Sequence, residues 1–339
     1  MTPPIPIPTS ATIPPNEFKG RNSIIKQVCQ RLDNQLSSSC LVGGPMTGRT
    51  SLLLYLTSEH AQAKYPILAK SKNVYIPGGT FGSTTTPSEF WVRCFKELLR
   101  QINLGTFQAT VDKVLKEAET NTIDIFHLED VFDTFARANS PIVLFVNDFE
   151  NLLKASEFWP PDNFFHIVRS LGQRVPRGLA FVITTPRPLI DLWDPTKGAS
   201  PFYSIFENLA MGRLEKEEIQ TVVRDIFSSA GVRSDENVED LVIAASDQHP
   251  RLVNYVAGVC ADMLNEGKTI TESALSQLFR EPGGVVVTLI RQMRGHLTVI
   301  ERQWLDMTQS DFDTLRKNQK ELLRKLWDYG LIPPGTKNL

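Results

Sequence analysis

Two rhythms of apolar and polar residues run along the chain, and one gives way to the other near Leu209. Before that point, short runs that are apolar at both odd and even positions alternate with stretches of helical periodicity. The runs are Ser39-Cys40-Leu41-Val42, Val74-Tyr75-Ile76-Pro77, Pro141-Ile142-Val143-Leu144-Phe145-Val146 and Leu179-Ala180-Phe181-Val182-Ile183-Thr184-Thr185. A strand covered on both faces needs apolar side chains on both, so these runs predict strands of a mostly parallel sheet. Between them, Ile24, Ile25, Val28, Cys29 and Leu32 fall at helical spacing, and a second helix is predicted after Ser51, ending near Ala63. Pro87-Ser88-Glu89-Phe90-Trp91 opens another helix, with Phe90, Cys94, Phe95, Leu98 and Leu99 along one face. Further helices are expected over residues 109–118, 128–138 and 163–172. Strands alternating with helices in this way predict an α/β fold whose sheet is covered on both faces.

After Leu209 helical periodicity dominates. It covers residues 217–230, 238–245, 250–266, 272–280, 298–308 and 311–329, with Gly283-Gly284 as a hinge. A chain of 339 residues holds two or three domains at about 150 residues each. Its 41% hydrophobic and 22% charged residues are those of a soluble globular protein. The net charge of −2 and pI near 6.3 give no global electrostatic case for nucleic-acid binding. Cys29, Cys40, Cys94 and Cys260 lie far apart with no C-x-x-C pair, so neither a zinc site nor a disulfide framework is indicated. No apolar run approaches the ~20 residues that cross a bilayer, and the N-terminus lacks the pattern of a signal peptide. The expected setting is the cytoplasm, with no membrane partner. Six prolines within residues 1–15 mark a flexible lead-in.

The chemistry centres on Gly43-Gly44-Pro45-Met46-Thr47-Gly48-Arg49-Thr50-Ser51, between a predicted strand and a predicted helix. Strand, glycine-rich turn and helix make the setting of a phosphate-binding P-loop, and the spacing matches G-x4-G-K-[ST] except for Arg49 in place of Lys. Glycines let the backbone curl into a nest whose N–H groups point at an anion, and the following helix adds its positive dipole end. Thr50 would offer its hydroxyl to Mg2+, and Arg49 would reach the terminal phosphates. Arg is bulkier than Lys but a strong, even bidentate, phosphate partner. A strand-to-helix turn with no ligand is the competing reading.

A P-loop enzyme also needs acidic chemistry at the end of a buried strand. Ile142-Val143-Leu144-Phe145-Val146-Asn147-Asp148-Phe149-Glu150 stands where that is expected. Asn147 occupies the position of the metal-holding Asp, and Asp148 that of the catalytic Glu. Asn ligates through its carbonyl but carries no charge, and Asp148 has a shorter reach toward an attacking water. Arg187, in Thr184-Thr185-Pro186-Arg187 after another strand, is a candidate for sensing the γ-phosphate. Arg174 and Arg177 are its rivals if an arginine acts across subunits. His249 has no second His or Cys at ligand spacing, so it does not indicate a metal site.

Phe18-Lys19-Gly20-Arg21 ahead of this loop resembles the entry of AAA+ and STAND (signal-transduction ATPases with numerous domains) nucleotide-binding modules. Ser88-Glu89-Phe90-Trp91, Asn147-Asp148-Phe149-Glu150-Asn151-Leu152, Thr184-Thr185-Pro186-Arg187-Pro188-Leu189 and Ser200-Pro201-Phe202 look like successive landmarks of bacterial STAND-type ATPases. So do Leu209-Ala210-Met211-Gly212-Arg213-Leu214 and Asp247-Gln248-His249-Pro250. The resemblance implies a P-loop NTPase domain over residues 18–210, a helical lid over 211–284 and a winged-helix-like segment over 285–339, after the flexible residues 1–17. It places Gly20, Arg21 and Pro250 near the adenine of a bound ATP or ADP, with Mg2+ held through the nucleotide by Thr50 and Asn147. Arg49, Asn147, Asp148 and Gln248 stand where the family has Lys, Asp, Glu and Gly, which implies slow or degenerate hydrolysis. The expected function is a nucleotide-dependent switch that signals to a protein partner or to further copies of itself. Two alternatives stay open. One is an AAA+ DNA-associated regulator using Arg316, Lys317, Lys320, Arg324 and Lys325 of the winged helix; the other is a P-loop scaffold that binds no nucleotide.

Overall fold

The computed structural model describes residues 12–119, 123–155, 164–175, 177–192, 202–233, 235–281, 284–307 and 314–332. Strands β1 (Ser39–Val42), β2 (Lys72–Ile76), β3 (Ile142–Val146), β4 (Leu179–Thr185) and β5 (Glu207–Ala210) form one sheet in the order β2-β3-β4-β1-β5. Every pairing is parallel, with Leu144 opposite both Val74 and Phe181, and Cys40 opposite both Ile183 and Asn208. Helix α1 (Asn22–Gln35) precedes β1, and α2 (Arg49–Thr57), α3 (Glu59–Lys64) and α4 (Pro66–Lys70) follow it. Helices α5 (Pro87–Gln101), α6 (Gln108–Glu117) and α7 (Ile125–Arg137) connect β2 to β3. Helices α8 (Glu150–Leu153) and α9 (Phe164–Arg174) lie between β3 and β4, and α10 (Leu189–Leu192) follows β4.

The period-two geometry of a strand explains why the central runs are apolar throughout. Cys40, Leu144, Val146, Phe181 and Ile183 turn to one core, where Phe90, Trp91, Phe95 and Phe132 pack. Leu41, Val143, Phe145, Ala180 and Val182 turn to the other, against Ile25, Val28, Leu52, Leu53 and Leu56. Each large apolar side chain fully buried here contributes about 1.5–3 kcal/mol. This is the doubly covered parallel sheet that the apolar runs predicted.

Four helices, α11 (Lys216–Ser229), α12 (Glu236–Ser246), α13 (Pro250–Asn265) and α14 (Glu272–Leu278), enclose a separate core around Ile219, Val223, Phe227, Val253 and Cys260. Helices α15 (Val285–Gly295), α16 (Val299–Leu305) and α17 (Lys317–Asp328) follow among the described residues, with Leu297, Leu305, Leu323, Leu326, Leu331 and Ile332 as a small core. Among the described residues, no helix is long and apolar enough to cross a membrane.

Several elements depart from the sequence expectation. The helix predicted after the P-loop is broken at Ser58, which is extended and caps α3 with its hydroxyl, and again before Pro66, which opens α4. β5 escaped the pattern because it is an edge strand with only Leu209 buried. Helix α15 was not anticipated: its β-branched opening masks the helical spacing of Val286, Leu289 and Met293, and Gly284 stands at its N-cap. Ile13, in the expected flexible lead-in, donates its N–H to the Ser51 hydroxyl at 3.0 Å. Ser200 and Pro201, two landmarks of the resemblance, and Gly283 lie outside the described residues, as do residues 1–11.

Candidate nucleotide site

The carboxyl ends of β1, β3 and β4 converge on the loop between β1 and α2. Gly43 donates its N–H to the Thr185 carbonyl (3.0 Å), tying the loop to β4. The Thr47 hydroxyl donates to the Gly44 carbonyl at 2.9 Å and closes the turn. A Cβ on Gly43 would lie 2.5 Å from that hydroxyl oxygen, so glycine is required there. Gly48 caps α2 at φ 90°, a left-handed conformation that glycine adopts without penalty. Met46 holds φ 57° without being glycine, and its side chain is exposed. Left-handed geometry in a non-glycine residue costs about 1–2 kcal/mol.

Arg49 opens α2 and turns its guanidinium toward β3. Nη2 pairs with Asp148 Oδ1 at 3.1 Å, while Nη1 is buried with no hydrogen-bond partner. Asn147 is buried, and its Oδ1 accepts from the hydroxyls of Thr184 (2.9 Å) and Thr50 (3.4 Å). Its amide donates to Asp148 Oδ2 at 2.9 Å. Asp148 sits at φ 46°, held there by its N–H bond to the Thr184 hydroxyl at 2.8 Å. Thr50, Asn147, Asp148 and Thr184 thus form one hydrogen-bonded set beneath the loop. The close approach of β2's end seals it below, since a Cβ on Gly78 would lie 1.7 Å from the Asn147 carbonyl oxygen.

Glu150, quoted in the sequence motif but given no role, joins this site. Its Oε2 is buried without a hydrogen-bond partner. Burial raises its pKa above the usual glutamate value, and the nearby Arg49 charge only partly opposes that.

Arg21, also left-handed (φ 61°), is almost fully buried. Its Nη2 donates to the carbonyls of Thr47 (3.0 Å), Met211 (2.8 Å) and Gly212 (3.0 Å), and its Nη1 to that of Arg213 (2.7 Å). One side chain therefore ties the α1 entry to the P-loop and to the segment leaving β5. Burial, partly offset by Glu218, lowers its pKa to about 10. Gly20 precedes it at φ 80°. Pro250 opens α13, and the adjoining His249 is completely buried with both ring nitrogens unpartnered. Burial first, then the Arg213 and Arg21 charges, holds this imidazole down at about 3, so it is neutral near pH 7.

Arg187 is engaged elsewhere. Its two Nη atoms donate to Glu301 of α16, at 2.9 and 2.6 Å, and Nη1 also reaches the His296 carbonyl (3.2 Å). The hydrogen bond to Glu301 raises its pKa further. Nothing near Arg187 in the sequence signals a partner 114 residues away. The terminal module also touches the loop directly, because Gly44 donates its N–H to the Tyr329 carbonyl at 2.7 Å. Arg213 stacks on the Trp327 ring (4.6 Å), pairs with Asp247 (2.7 Å) and donates to the Ile332 carbonyl (3.1 Å). Arg177 is exposed and lies apart from these residues beside Leu36 and Ile205; the side chain of Arg174 is outside the described set.

The residues present fit a bound nucleotide. The glycine cradle, the amino end of α2, to which no side chain donates or accepts a cap, and the unpartnered Arg49 Nη1 suit an anion. Among the described residues no group of three or more His, Cys, Asp or Glu could hold a metal by itself. Mg2+ would depend on nucleotide oxygens beside Thr50 and Asn147.

No family model matches the sequence, and no curated protein matches it. Solved structures do match. A Walker-type ATPase of Pyrococcus abyssi superposes over 95% of this chain and 93% of its own, with a TM-score of 0.56 at 13% identity. The ORC2 protein of Aeropyrum pernix, solved in ADPNP–ADP complexes, aligns over 95% and 89% with a TM-score of 0.49 at 12% identity. The Thermotoga maritima RuvB Holliday junction branch migration motor aligns over 86% and 76%, with 0.42 at 14% identity. The likeness to the Pyrococcus ATPase carries the conclusion on architecture: the chain has a P-loop NTPase α/β fold with helical additions.

Proposed function

We propose that the chain is an ATP- or ADP-binding, AAA+-like protein in which nucleotide and the C-terminal module act on one loop. The observation that carries this reading is the buried Nη1 of Arg49, a cation donor with no partner in a glycine-lined loop at a helix N-terminus. An unpaired buried donor costs about 1–3 kcal/mol, more when charged, and a phosphate oxygen removes that cost. Bound nucleotide, with Mg2+ beside Thr50 and Asn147, would supply a polarised terminal phosphate. Arg21, Gly20 and Pro250 would shape the base end of the site.

A switch requires different affinities for nucleotide in two arrangements of the molecule. The contacts from Gly44 to Tyr329 and from Arg187 to Glu301 support such coupling, because each joins a nucleotide-facing segment to the terminal module. The output would go to a protein partner or to a second copy of the chain. A second reading, binding of nucleic acid by that module, draws on α17, where Lys317, Lys320 and Arg324 border a groove of about 400 Å3. Calorimetry with ATP and ADP, with and without Mg2+, is the deciding experiment. Micromolar binding that Arg49→Ala loses by tenfold or more (about 1.4 kcal/mol) is expected. An absence of heat at millimolar nucleotide would leave only the scaffold.

A further inference from the structure

We propose that Glu150, rather than Asp148, takes the proton from the attacking water when this P-loop hydrolyses ATP; the inference rests on the nucleotide-binding reading above. Asp148 is fully engaged. One carboxylate oxygen pairs with Arg49 Nη2 and the other accepts from the Asn147 amide. Its backbone is pinned in a left-handed conformation by Thr184. Both oxygens of that carboxylate are already turned to other partners, so a water would have to displace one of them to reach it.

Glu150 presents the opposite circumstances. It begins α8 directly beyond this turn, and its side chain is one methylene longer than that of Asp148. Its Oε2 is buried with nothing donating to it, and Arg49 Nη1 is buried with nothing accepting from it. The two groups lie within electrostatic reach of each other and of Cys40. A lone buried acceptor and a lone buried donor in one site call for a molecule that does both jobs, and water does. The charged and titratable groups facing Glu150 are Arg49 from α2, Cys40 from β1, and Asp148 and Lys154 on either side of it in the chain. Burial among them raises its basicity, which suits a proton acceptor working near neutral pH.

In the step itself, the water oxygen forms a bond to the terminal phosphorus while the bond from that phosphorus to the bridging oxygen breaks. The electron pair of the broken bond stays on the ADP oxygen. Glu150 Oε2 receives the proton that the water loses and later releases it to solvent, so one ATP and one water yield ADP, phosphate and a proton. No other reactant is required.

Three measurements on the full chain test this in wild type, Glu150→Gln and Asp148→Asn. They are ADP and ATP affinity by calorimetry, phosphate release with Mg-ATP, and the thermal midpoint without nucleotide at pH 5 and pH 8. Glu150→Gln is expected to keep nucleotide affinity within about twofold and to lose about 10²–10⁴-fold in turnover. Without nucleotide, it should melt higher than wild type at pH 8 and little differently at pH 5, because it removes a buried charge that the folded state disfavours. Asp148→Asn should alter affinity by freeing Arg49 and reduce turnover by a smaller factor. Nucleotide binding by wild type with unchanged turnover in Glu150→Gln, with no turnover in wild type, or with the larger loss in Asp148→Asn overturns the inference. Failure of wild type to bind nucleotide is a separate result, read from calorimetry alone, that overturns it together with the parent reading.

Discussion

The backbone N–H of Gly44 points at the carbonyl oxygen of Tyr329, 2.7 Å away, so the second residue of the P-loop holds the end of the last helix. The fit is close. A Cβ on Gly44 would lie 2.4 Å from the Gly330 carbonyl oxygen, and one on Gly212 would lie 2.1 Å from that of Asp328. Gly44→Ala should therefore push the terminal module off the loop, at a cost of about 1–3 kcal/mol. Limited proteolysis would report it as faster cleavage between α14 and α17 than in wild type. Equal cleavage rates would mean that the loop does not hold the module.

Arg187 and Glu301 form a buried charged link between the end of β4 and the terminal module. Their side chains are 13% and 5% exposed. Breaking a buried pair by neutralising one member costs about 3–5 kcal/mol, so Glu301→Gln should lower the thermal midpoint markedly at pH 7. Burial raises the Glu301 pKa, but hydrogen bonds from Arg187 and Thr298 outweigh it and hold the value below the ordinary 4.5. For an acid with a depressed folded pKa, the stabilisation is complete above the unfolded value and is lost as pH falls below about 4.5. Wild type should converge on Glu301→Gln in acid.

His249 supplies a second acid-sensitive element, with a different window. Its folded pKa of about 3 lies far below the ordinary 6.5. The unfolded chain therefore binds a proton that the folded one refuses, and stability falls as pH drops from 6.5 toward 3. The expected loss is about 2 kcal/mol between pH 6.5 and pH 5. His249→Phe, with a ring but no nitrogens, should abolish that slope in a chemical denaturation series. A slope identical to wild type would show that His249 titrates normally.

Arg21 serves four carbonyls, one in the P-loop and three in the consecutive residues Met211, Gly212 and Arg213. Lysine lacks the planar fork needed to reach them together. Arg21→Lys should therefore destabilise by at least about 3 kcal/mol, since buried acceptors lose a charged donor. Urea unfolding would measure it, and a change under 1 kcal/mol would contradict the arrangement.

How much of this was legible beforehand depended on whether each feature is local. The β3 and β4 runs announce themselves because both faces of each strand are buried, and the P-loop because its spacing is a backbone requirement. Helix α5 was readable from its start, where Thr86 and Glu89 cap each other. β5 was not, because an edge strand with one buried residue has no apolar run to display. The site divided in the same way. Arg49, Thr50, Asn147 and Asp148 share one short-range hydrogen-bonded set, and their sequence motifs led directly to them. The engagement of Arg187 by Glu301, and of Gly44 by Tyr329, joins residues with no common motif. Glu150 stood in plain view two positions beyond Asp148, yet only burial and the absence of a partner distinguish it from a solvated acid.

The position of β1 within the sheet bears on how the molecule is made. β1 carries the P-loop and is the first strand of this sheet in chain order, but its neighbours on either side are β4 and β5, the last two of the sheet. Cys40 and Thr185, which touch across one of these pairings, are 145 residues apart. During translation β1 must therefore wait, with both edges bare, until most of the domain has been made. Pairing at such separation slows folding and leaves unsatisfied strand edges exposed to other chains. The arrangement that sets the phosphate-loop strand between β4 and β5 thus leaves its edges unpaired in the nascent chain until β4 and β5 have been made.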